Sequence, residues 1–275
     1  MPGAPHDPAA QVRPSTGTPD LKESFQIGYT AAAAASWPDA AALPGFRPAC
    51  ERFMARAAAV SDVLLRALAL ALEMPEEALL REHDPHAPDV QTVLCVPASR
   101  LSWLAYVMLM TCERYRRLLH YPALEACATM DDGERWRAGA HTDFDVLTLL
   151  FQRPGEGGLE VCPGRVASTE FAHGDTWLPV PPTPGCITCN LGDMLMRWCD
   201  DGAKSTFHRV RAPPRSSPEA AKPRYSIAYF NQASESTVIQ GPLGKYPPLT
   251  GREFLVQSIE RNFAALRARK AAEAA

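Results

Sequence analysis

An apolar, β-branched run from Ala140 to Phe151 constrains the fold of this chain more than any other stretch. It reads Ala-His-Thr-Asp-Phe-Asp-Val-Leu-Thr-Leu-Leu-Phe, and its apolar density predicts one or two buried strands. Side chains two residues apart in a strand point to the same face. We therefore expect His141 and Asp143 to project together from a sheet, with an imidazole beside a carboxylate.

His141 and Asp143 become part of a metal site if a third ligand faces them. A second β-like run, Ser205-Thr-Phe-His-Arg-Val210, offers His208 for that position. Two histidines and one carboxylate on one face are the ligand set of non-haem Fe(II) oxygenases. A lone His-x-Asp pair is more often a surface feature, so this interpretation depends on the residues around it.

A candidate carboxylate-binding pair follows His208 in the chain. The run Arg224-Tyr-Ser-Ile-Ala-Tyr-Phe230 predicts a strand in which Arg224 and Ser226 share a face. A guanidinium binds a carboxylate through two parallel hydrogen bonds, and a neighbouring hydroxyl adds a third. Taken alone, an exposed arginine on an edge strand would be the simpler explanation of Arg224.

Six motifs in a fixed order resemble one enzyme family, the isopenicillin-N-synthase-like Fe(II)/2-oxoglutarate-dependent dioxygenases. In chain order they are Tyr121-Pro122, His141-Thr-Asp143, Gly158-Leu-Glu-Val161, Asn190-Leu-Gly-Asp193, Lys204-Ser-Thr-Phe-His-Arg-Val210 and Arg224-Tyr-Ser226. The resemblance covers residues 115–232. It implies a mainly β fold with flanking helices, the double-stranded β-helix or cupin-like jelly roll, here with a shortened N-terminal segment. Many short strands separated by Pro- and Gly-rich turns predict the same architecture independently.

The resemblance also implies a site. His141, Asp143 and His208 would hold Fe(II), while Arg224 and Ser226 would bind the distal carboxylate of 2-oxoglutarate. Tyr121 would reach the C1 carboxylate, although the family's Asn-x-Tyr motif has leucine in place of its asparagine here. Dioxygen would be the second cosubstrate, with ascorbate open as an additional reductant. The expected reaction is hydroxylation or desaturation of an unidentified small molecule, catalysed by the side chains at 141, 143 and 208.

Two alternatives remain open at this stage. The first is an oxidase on the same scaffold that does not use 2-oxoglutarate, because some such oxidases keep the arginine–serine pair. The second is a non-catalytic relative. The family carries an extra N-terminal strand and helix, whereas this sequence resembles the family's later N-terminal portion close to its first residues. Succinate release from 2-oxoglutarate would distinguish these interpretations.

Composition excludes several other classes of function. The 275 residues carry a formal net charge of −3, so no broad basic field favours nucleic acid or an anionic membrane as a partner. The sequence shows no secretory signal and no apolar run long enough to span a bilayer. Its eight cysteines are irregularly spaced, as thiols in a reducing compartment are. We expect a cytoplasmic monomer that acts on a small molecule.

The chain divides into four regions. Residues 1–20 are predicted to be a disordered leader, and residues 21–114 a helical region with an insertion at about 84–112. Residues 115–232 form the predicted catalytic domain, and residues 233–275 carry a C-terminal helix. Helical spacing predicts helices over residues 51–72 and 252–269, with a short helix whose first turn contains Pro75. The apolar face of the C-terminal helix is predicted to comprise Phe254, Leu255, Ile259, Phe263 and Leu266.

Three further positions carry specific expectations. Cys186 and Cys189 lie in a predicted strand over residues 185–190, where their odd spacing puts them on opposite faces, and we interpret them as small buried structural residues. Asp145 shares the face of Asp143 and would touch either the site or solvent.

Overall fold

The computed structural model describes residues 20, 22–27, 37–81, 114–123, 136–163 and 176–273. The predicted leader, apart from Asp20, and the predicted insertion at about 84–112 lie outside these residues. The strands are β1 (Glu23–Ile27), β2 (Arg114–Tyr121), β3 (Trp136–His141), β4 (Leu147–Gln152), β5 (Leu159–Val161), β6 (Leu178–Pro179), β7 (Thr188–Leu191), β8 (His208–Arg211), β9 (Arg224–Asn231), β10 (Val238–Ile239) and β11 (Leu249–Thr250). The helices are α1 (Phe46–Ala71), α2 (Ala78–Arg81), α3 (Asp193–Trp198) and α4 (Gly251–Glu273).

Two sheets make up the body of the fold. One has five strands in the order β1-β2-β9-β4-β7, and the other has four in the order β3-β8-β5-β6. Every strand pair in them is antiparallel. The interleaved order, in which β4 pairs with β7 while β3 pairs with β8, is that of a double-stranded β-helix. The predicted jelly roll with flanking helices is confirmed.

Strand alternation gives the five-stranded sheet two different faces. On its outer face, Leu149 and Tyr229 are fully buried in a core that includes side chains from all four helices. Phe151 on the same face meets Phe53 of α1 edge to face, with ring centroids 4.8 Å apart. The inner face faces the second sheet. The period of two in strands therefore separates a packed apolar core from a cavity.

The predicted long helix is confirmed, although α1 begins at Phe46. Its buried positions are Met54, Ala57, Ser61, Leu65 and Ala69, a helical spacing that places one stripe on the sheet. The short helix α2 begins at Ala78 and not at Pro75, whose carbonyl instead accepts a hydrogen bond from the Ala78 amide in a turn. In α4, Phe254, Leu255 and Ile259 are buried as predicted, whereas the side chains at 263 and 266 lie outside the described part of the helix.

The interpretation of the cysteine pair as buried residues is wrong. Both Cys186 and Cys189 are exposed. The predicted strand begins only at Thr188, so Cys186 lies in the preceding turn. Free cysteine is commonly buried, but β7 is the edge of its sheet, and an edge strand is left open to solvent. Among the described residues, no helix is both long and apolar enough to cross a membrane.

Candidate active site

The apolar run from Ala140 to Phe151 folds into two strands joined by a loop. β3 ends at His141 and β4 begins at Leu147, so Asp143 lies just beyond the strand and not within it. The sequence predicted that strand alternation would orient Asp143. This prediction is wrong, because Asp143 is not part of a strand. Instead, Asn190 and Thr148 donate hydrogen bonds of 2.9 and 2.7 Å to Asp143 Oδ2. These contacts turn the carboxylate towards the histidines.

The start of α3 anchors the loop that carries Asp143. The Asp193 amide donates to the Asp143 carbonyl at 2.8 Å, and the Thr142 hydroxyl donates to Asp193 Oδ2 at 3.0 Å. Burial raises the pKa of Asp193, although the hydroxyl groups of Ser205 and Thr142 oppose this. The Asn190-Leu-Gly-Asp193 motif thus turns the chain from β7 into α3 and supports the site.

The two histidines are cross-strand neighbours. His141 on β3 pairs with His208 on β8, and their ring centroids are 4.3 Å apart. Nδ1 of His141 lies 2.7 Å from the Gly139 carbonyl, and Nδ1 of His208 lies 2.9 Å from the Thr206 carbonyl. A carbonyl only accepts, so each Nδ1 carries the proton and donates. Each Nε2 is then left with a lone pair, the state that binds a metal.

Three ligand atoms converge on one point. Nε2 of His141 lies 3.8 Å from Asp143 Oδ1, and Nε2 of His208 lies 3.9 Å from Asp143 Oδ2. All three ligand atoms lie within 4.8 Å of one another, and among the described residues this is the one such cluster of three histidine, cysteine or acidic side chains. Two neutral imidazole nitrogens and one carboxylate oxygen, with the remaining side open to a cavity, fit Fe(II).

Asp143 is held as a carboxylate. Burial raises the pKa of Asp143. His208 and His141, together with the hydrogen bonds from Asn190 and Thr148, lower it by more, so that the pKa is about 2. A carboxylate that remains charged in a buried position is suited to a divalent cation.

Asp145 touches the site and not solvent, which decides between the two positions that the sequence left open. It is fully buried, and Thr148 Oγ1 lies 2.9 Å from its Oδ2 and 2.7 Å from Asp143 Oδ2. Burial, and then the charge of Asp143, raise the pKa of Asp145 well above its usual range. The single Thr148 hydroxyl therefore lies within hydrogen-bond distance of both carboxyl groups and links Asp145 to Asp143.

At the other end of the cavity, Arg224 is almost completely buried. Its Nε donates to the Glu156 carbonyl at 3.1 Å, one terminal nitrogen donates to Ser226 Oγ at 3.2 Å, and the other donates to Gln152 Oε1 at 2.9 Å. Arg224 and Ser226 share the inner face of β9, as predicted. These three bonds use three of the five guanidinium protons, so the terminal nitrogens keep donor capacity for a carboxylate.

Tyr121 lies beside this arginine. The Arg224 guanidinium carbon is 4.9 Å from the centre of the Tyr121 ring, and Tyr121 is buried. Burial raises the pKa of Tyr121, although Arg224 and Ser226 lower it in part. The phenol is therefore protonated and can donate a hydrogen bond towards a ligand that Arg224 binds.

One cavity of about 320 Å³ connects the two ends. Its volume is at the lower end of the range of about 300–1,000 Å³ that is typical of small-molecule sites. Both sheets supply its walls, which are mainly apolar: Leu119, Ala138, Leu150, Leu159, Val161, Val180, Val210, Ala228 and Phe230. The polar and charged groups are concentrated at the histidine cluster, at Arg224, and at Lys22 and Arg117.

Sequence reasoning missed several residues that line this cavity or hydrogen-bond to the side chains that line it. Thr148 and Gln152 alternate with the buried Leu149 on β4, and Arg117 shares a face with Tyr121 on β2, so strand parity could have found all three once the inner face was known. Asp20 gave no such signal, because it belongs to the segment that composition assigned to a disordered leader.

Known proteins share this fold. The family profile described as the 2OG-Fe(II) oxygenase superfamily matches residues 114–233. A 2-oxoglutarate-Fe(II) type oxidoreductase, ppzD of Metarhizium rileyi, is 30% identical over 254 residues, which are 90% of this chain and 58% of that protein. The proline hydroxylase buaE of Petromyces alliaceus is 33% identical over 233 residues, 80% of this chain and 59% of its own length.

A solved structure has a similar fold. A full-length Neurospora crassa protein, crystallised in complex with alpha-KG and thymine, superposes with a TM-score of 0.65 at 27% identity, covering 88% of this chain and 66% of that one. A jelly roll whose cavity holds two histidines, one carboxylate and a buried arginine defines a class of iron oxygenases. Residues 114–233 match the 2OG-Fe(II) oxygenase superfamily, so this part of the chain is similar to that family. The chain spans about half the length of the curated relatives that it matches.

Proposed function

We propose that this protein is an Fe(II)- and 2-oxoglutarate-dependent dioxygenase that hydroxylates or desaturates a small molecule. The observation that carries the proposal is one cavity with two different ends. At one end the ligand atoms of His141, Asp143 and His208 lie within 4.8 Å of one another, and at the other Arg224 is buried with guanidinium donors directed to the cavity.

Each residue has a defined task in this proposal. His141, Asp143 and His208 hold the metal from one side, and the carbonyls behind both histidines keep their Nε2 atoms aimed at it. Arg224 binds the distal carboxylate of 2-oxoglutarate, with Ser226 and Tyr121 as neighbouring donors. When bound, Fe(II), 2-oxoglutarate and dioxygen together supply the oxidising chemistry, in which 2-oxoglutarate becomes succinate and carbon dioxide and a substrate C–H bond is oxidised. The apolar walls exclude water from the reacting groups.

The cavity also restricts the chemistry of the substrate. Arg117 lies on the inner face of β2, opposite Ala228, and its guanidinium carbon is 5.8 Å from the centre of the Phe230 ring. A substrate with a mainly apolar body and one acceptor group, such as a carboxylate, fits these walls with that group directed to Arg117. Relatives are named for small molecules: a proline hydroxylase and a validamycin A dioxygenase, and the Neurospora crassa complex contains thymine.

We further infer that the protein acts as a cytoplasmic monomer and needs no nucleic-acid partner. The small net negative charge and the free thiols of the described cysteines support this proposal. Light scattering coupled to size-exclusion chromatography would give a mass of one chain, and a mass of two chains would contradict it.

The metal site is tested by calorimetry with Mn(II) under anaerobic conditions. Each of His141→Ala, Asp143→Ala and His208→Ala should abolish stoichiometric binding, since each removes one of three ligands. His120→Ala is the matched control, because His120 is paired with Glu23 outside the cavity and should leave binding unchanged. Undiminished binding in His208→Ala would remove the third ligand from the scheme.

The cosubstrate is tested by titrating 2-oxoglutarate into the anaerobic Fe(II) protein and following the metal-to-ligand charge-transfer absorption. Removing one partner of a buried charge pair costs about 3–5 kcal/mol, so Arg224→Ala should weaken apparent affinity at least about a hundredfold. Iron binding should hardly change. Arg224→Lys should recover part of the loss, because an ammonium lacks the planar fork.

Ser226→Ala should weaken the affinity for 2-oxoglutarate less than Arg224→Ala does, by about 1–3 kcal/mol for one hydrogen bond to a charged group. A wild-type protein without the charge-transfer band, or an Arg224→Ala variant that titrates like wild type, would favour the oxidase or the non-catalytic relative instead.

A further inference from the structure

The pairing between β3 and β8 is interrupted next to the metal ligands. Ala138 pairs with Val210 and His141 pairs with His208, so two residues, Gly139 and Ala140, lie opposite the single residue Arg209. Such a bulge leaves backbone groups on the longer strand without their regular ladder partners. A buried amide in this position needs another acceptor.

Asp20 supplies that acceptor. Its Oδ1 accepts a hydrogen bond of 2.8 Å from the Gly139 amide, across a sequence separation of 119 residues. The carbonyl of the same glycine accepts the hydrogen bond from Nδ1 of His141. Asp20 is buried. The Asp20 carboxylate therefore fixes Gly139, whose carbonyl orients the proposed metal ligand His141.

The second oxygen of Asp20 pairs with a residue of the cavity. Lys22 Nζ lies 2.6 Å from Asp20 Oδ2, and Lys22 borders the same cavity as the metal ligands. A buried carboxylate is tolerated only when it is paired and hydrogen-bonded. In Asp20, Oδ1 accepts the hydrogen bond from the Gly139 amide and Oδ2 pairs with the Lys22 ammonium group. The segment just before β1 is thus joined both to the metal-bearing strand and to the cavity wall.

We infer that Asp20 is a positioning residue for the metal ligand His141, acting through Gly139, and that Asp20 and Lys22 belong to the active site. The inference rests on the proposed metal-binding function of His141. Without Asp20, the Gly139 amide loses its buried acceptor, the bulge relaxes, and the Gly139 carbonyl no longer fixes the ring. His141 then populates both tautomers, and only one of them presents a lone pair on Nε2.

The decisive readout is the tautomer of His141 in the metal-free protein, measured by NMR on protein with ¹⁵N-labelled histidine at alkaline pH, where imidazoles are neutral. Wild type should show a protonated Nδ1 and an unprotonated Nε2. Asp20→Ala should show averaged shifts for His141 and unchanged shifts for His208, whose Nδ1 is held by Thr206. Asp20→Asn, which keeps an acceptor oxygen for the Gly139 amide, should restore the wild-type pattern.

Mn(II) affinity is the second readout. Residues that orient a ligand typically change metal affinity by about 10–100-fold, and because Asp20 acts one residue further away we expect about tenfold weaker binding in Asp20→Ala. Asp200→Ala is the matched control, because Asp200 is also a buried acid that accepts backbone amides, from Leu243 and Lys245, but away from the cavity. It should lower the melting temperature and leave Mn(II) affinity unchanged.

The inference is overturned if Asp20→Ala keeps the wild-type tautomer of His141, or if its Mn(II) affinity falls no more than that of Asp200→Ala. Failure of the proposed function gives a different result, because a wild-type protein that binds no Mn(II) can still show the tautomer change. If Asp20→Ala does not fold, Asp20→Asn still tests the inference, since loss of the tautomer pattern in that variant contradicts it.

Discussion

The pKa values of two carboxyl groups only two residues apart are shifted in opposite directions. Asp143 has a pKa lowered to about 2, because the neighbouring histidines and hydrogen bonds outweigh its burial. Asp145 has a pKa raised well above its usual range by burial and by the charge of Asp143. Thr148 lies between them and joins them in a chain of hydrogen bonds. Asp143 is the proposed metal ligand, and Asp145 contacts it through Thr148.

Asp145→Asn is expected to fold and bind Mn(II) much like wild type, since an amide oxygen can also accept the hydrogen bond from Thr148. The sign of the pH effect follows from the raised pKa. Stability that Asp145 contributes is fully present below its unfolded pKa of about 3.9 and is lost as pH rises through its folded pKa. Asp145→Asn does not titrate, so chemical denaturation should show it gaining stability relative to wild type as pH rises above about 4. A constant difference in stability across pH would contradict the raised pKa of Asp145.

Gly192 is required by its close approach to Asp145. A Cβ at this position would lie 2.1 Å from the Asp145 carbonyl oxygen and 2.5 Å from its Oδ1. Gly192→Ala should therefore destabilise the protein by about 1–3 kcal/mol through overpacking, measured by urea denaturation, and should weaken Mn(II) binding as the loop of Asp143 moves. Gly157→Ala is the control, because a Cβ there meets nothing within 4 Å. Equal effects from both substitutions would show that the approach is unimportant.

At the scale of elements, β4 and β9 each have an outer face of buried apolar or aromatic side chains and an inner face with polar side chains. Leu149 and Tyr229 are buried under the helices, while Thr148 and Ser226 face the cavity. The long helix α1 covers the outer face of this sheet through one apolar stripe. The helix thus packs on the outer face of the same strands whose inner face carries Thr148 and Ser226 towards the cavity.

Leu65→Ala tests that packing. Leu65 is fully buried in the core between α1 and the sheet, so its truncation should lower the free energy of unfolding by about 2–5 kcal/mol. Val63, on the same helix, is 66% exposed, and Val63→Ala should change stability by no more than about 0.5 kcal/mol. Denaturant unfolding of both variants would give the comparison, and similar losses would mean that α1 packs differently.

At the scale of the whole molecule, the cavity exists only because the two sheets close on each other. The histidines come from the four-stranded sheet, whereas Arg224, Ser226 and Tyr121 come from the five-stranded one. A ligand that binds between them favours the folded state over the unfolded chain. Its binding energy therefore adds to the stability of both sheets together.

Mn(II) at a hundredfold excess over its dissociation constant should stabilise the fold by about 2.7 kcal/mol, and 2-oxoglutarate should add to this. A rise in melting temperature with each addition is the expected result in differential scanning calorimetry. His208→Ala should lose the response to both ligands, while Arg224→Ala should keep the response to Mn(II) alone. A 2-oxoglutarate response that survives in Arg224→Ala would place that ligand elsewhere.

Local pattern was enough to predict much of this protein. Strand alternation placed Arg224 and Ser226 on one face, helical spacing predicted α1, and many short strands between turns predicted a jelly roll. These features depend on periods of two or about 3.6 residues, which the backbone geometry imposes on any sequence that buries one face. The sequence also singled out His141, Asp143 and His208, which the structure brings together.

Only the tertiary structure decided how those side chains are oriented. Asp143 lies outside the strand that was expected to direct it, and Asn190 on β7 helps to turn it. Gln152 reaches Arg224 from the neighbouring strand, and Asp20 reaches Gly139 from a segment that composition assigned to a disordered leader. These hydrogen bonds join residues far apart in sequence, so the local periodicity of the sequence cannot predict them. The residue types came from the chain itself, whereas the charge states, tautomers and directions that make them a site came from burial and long-range hydrogen bonds.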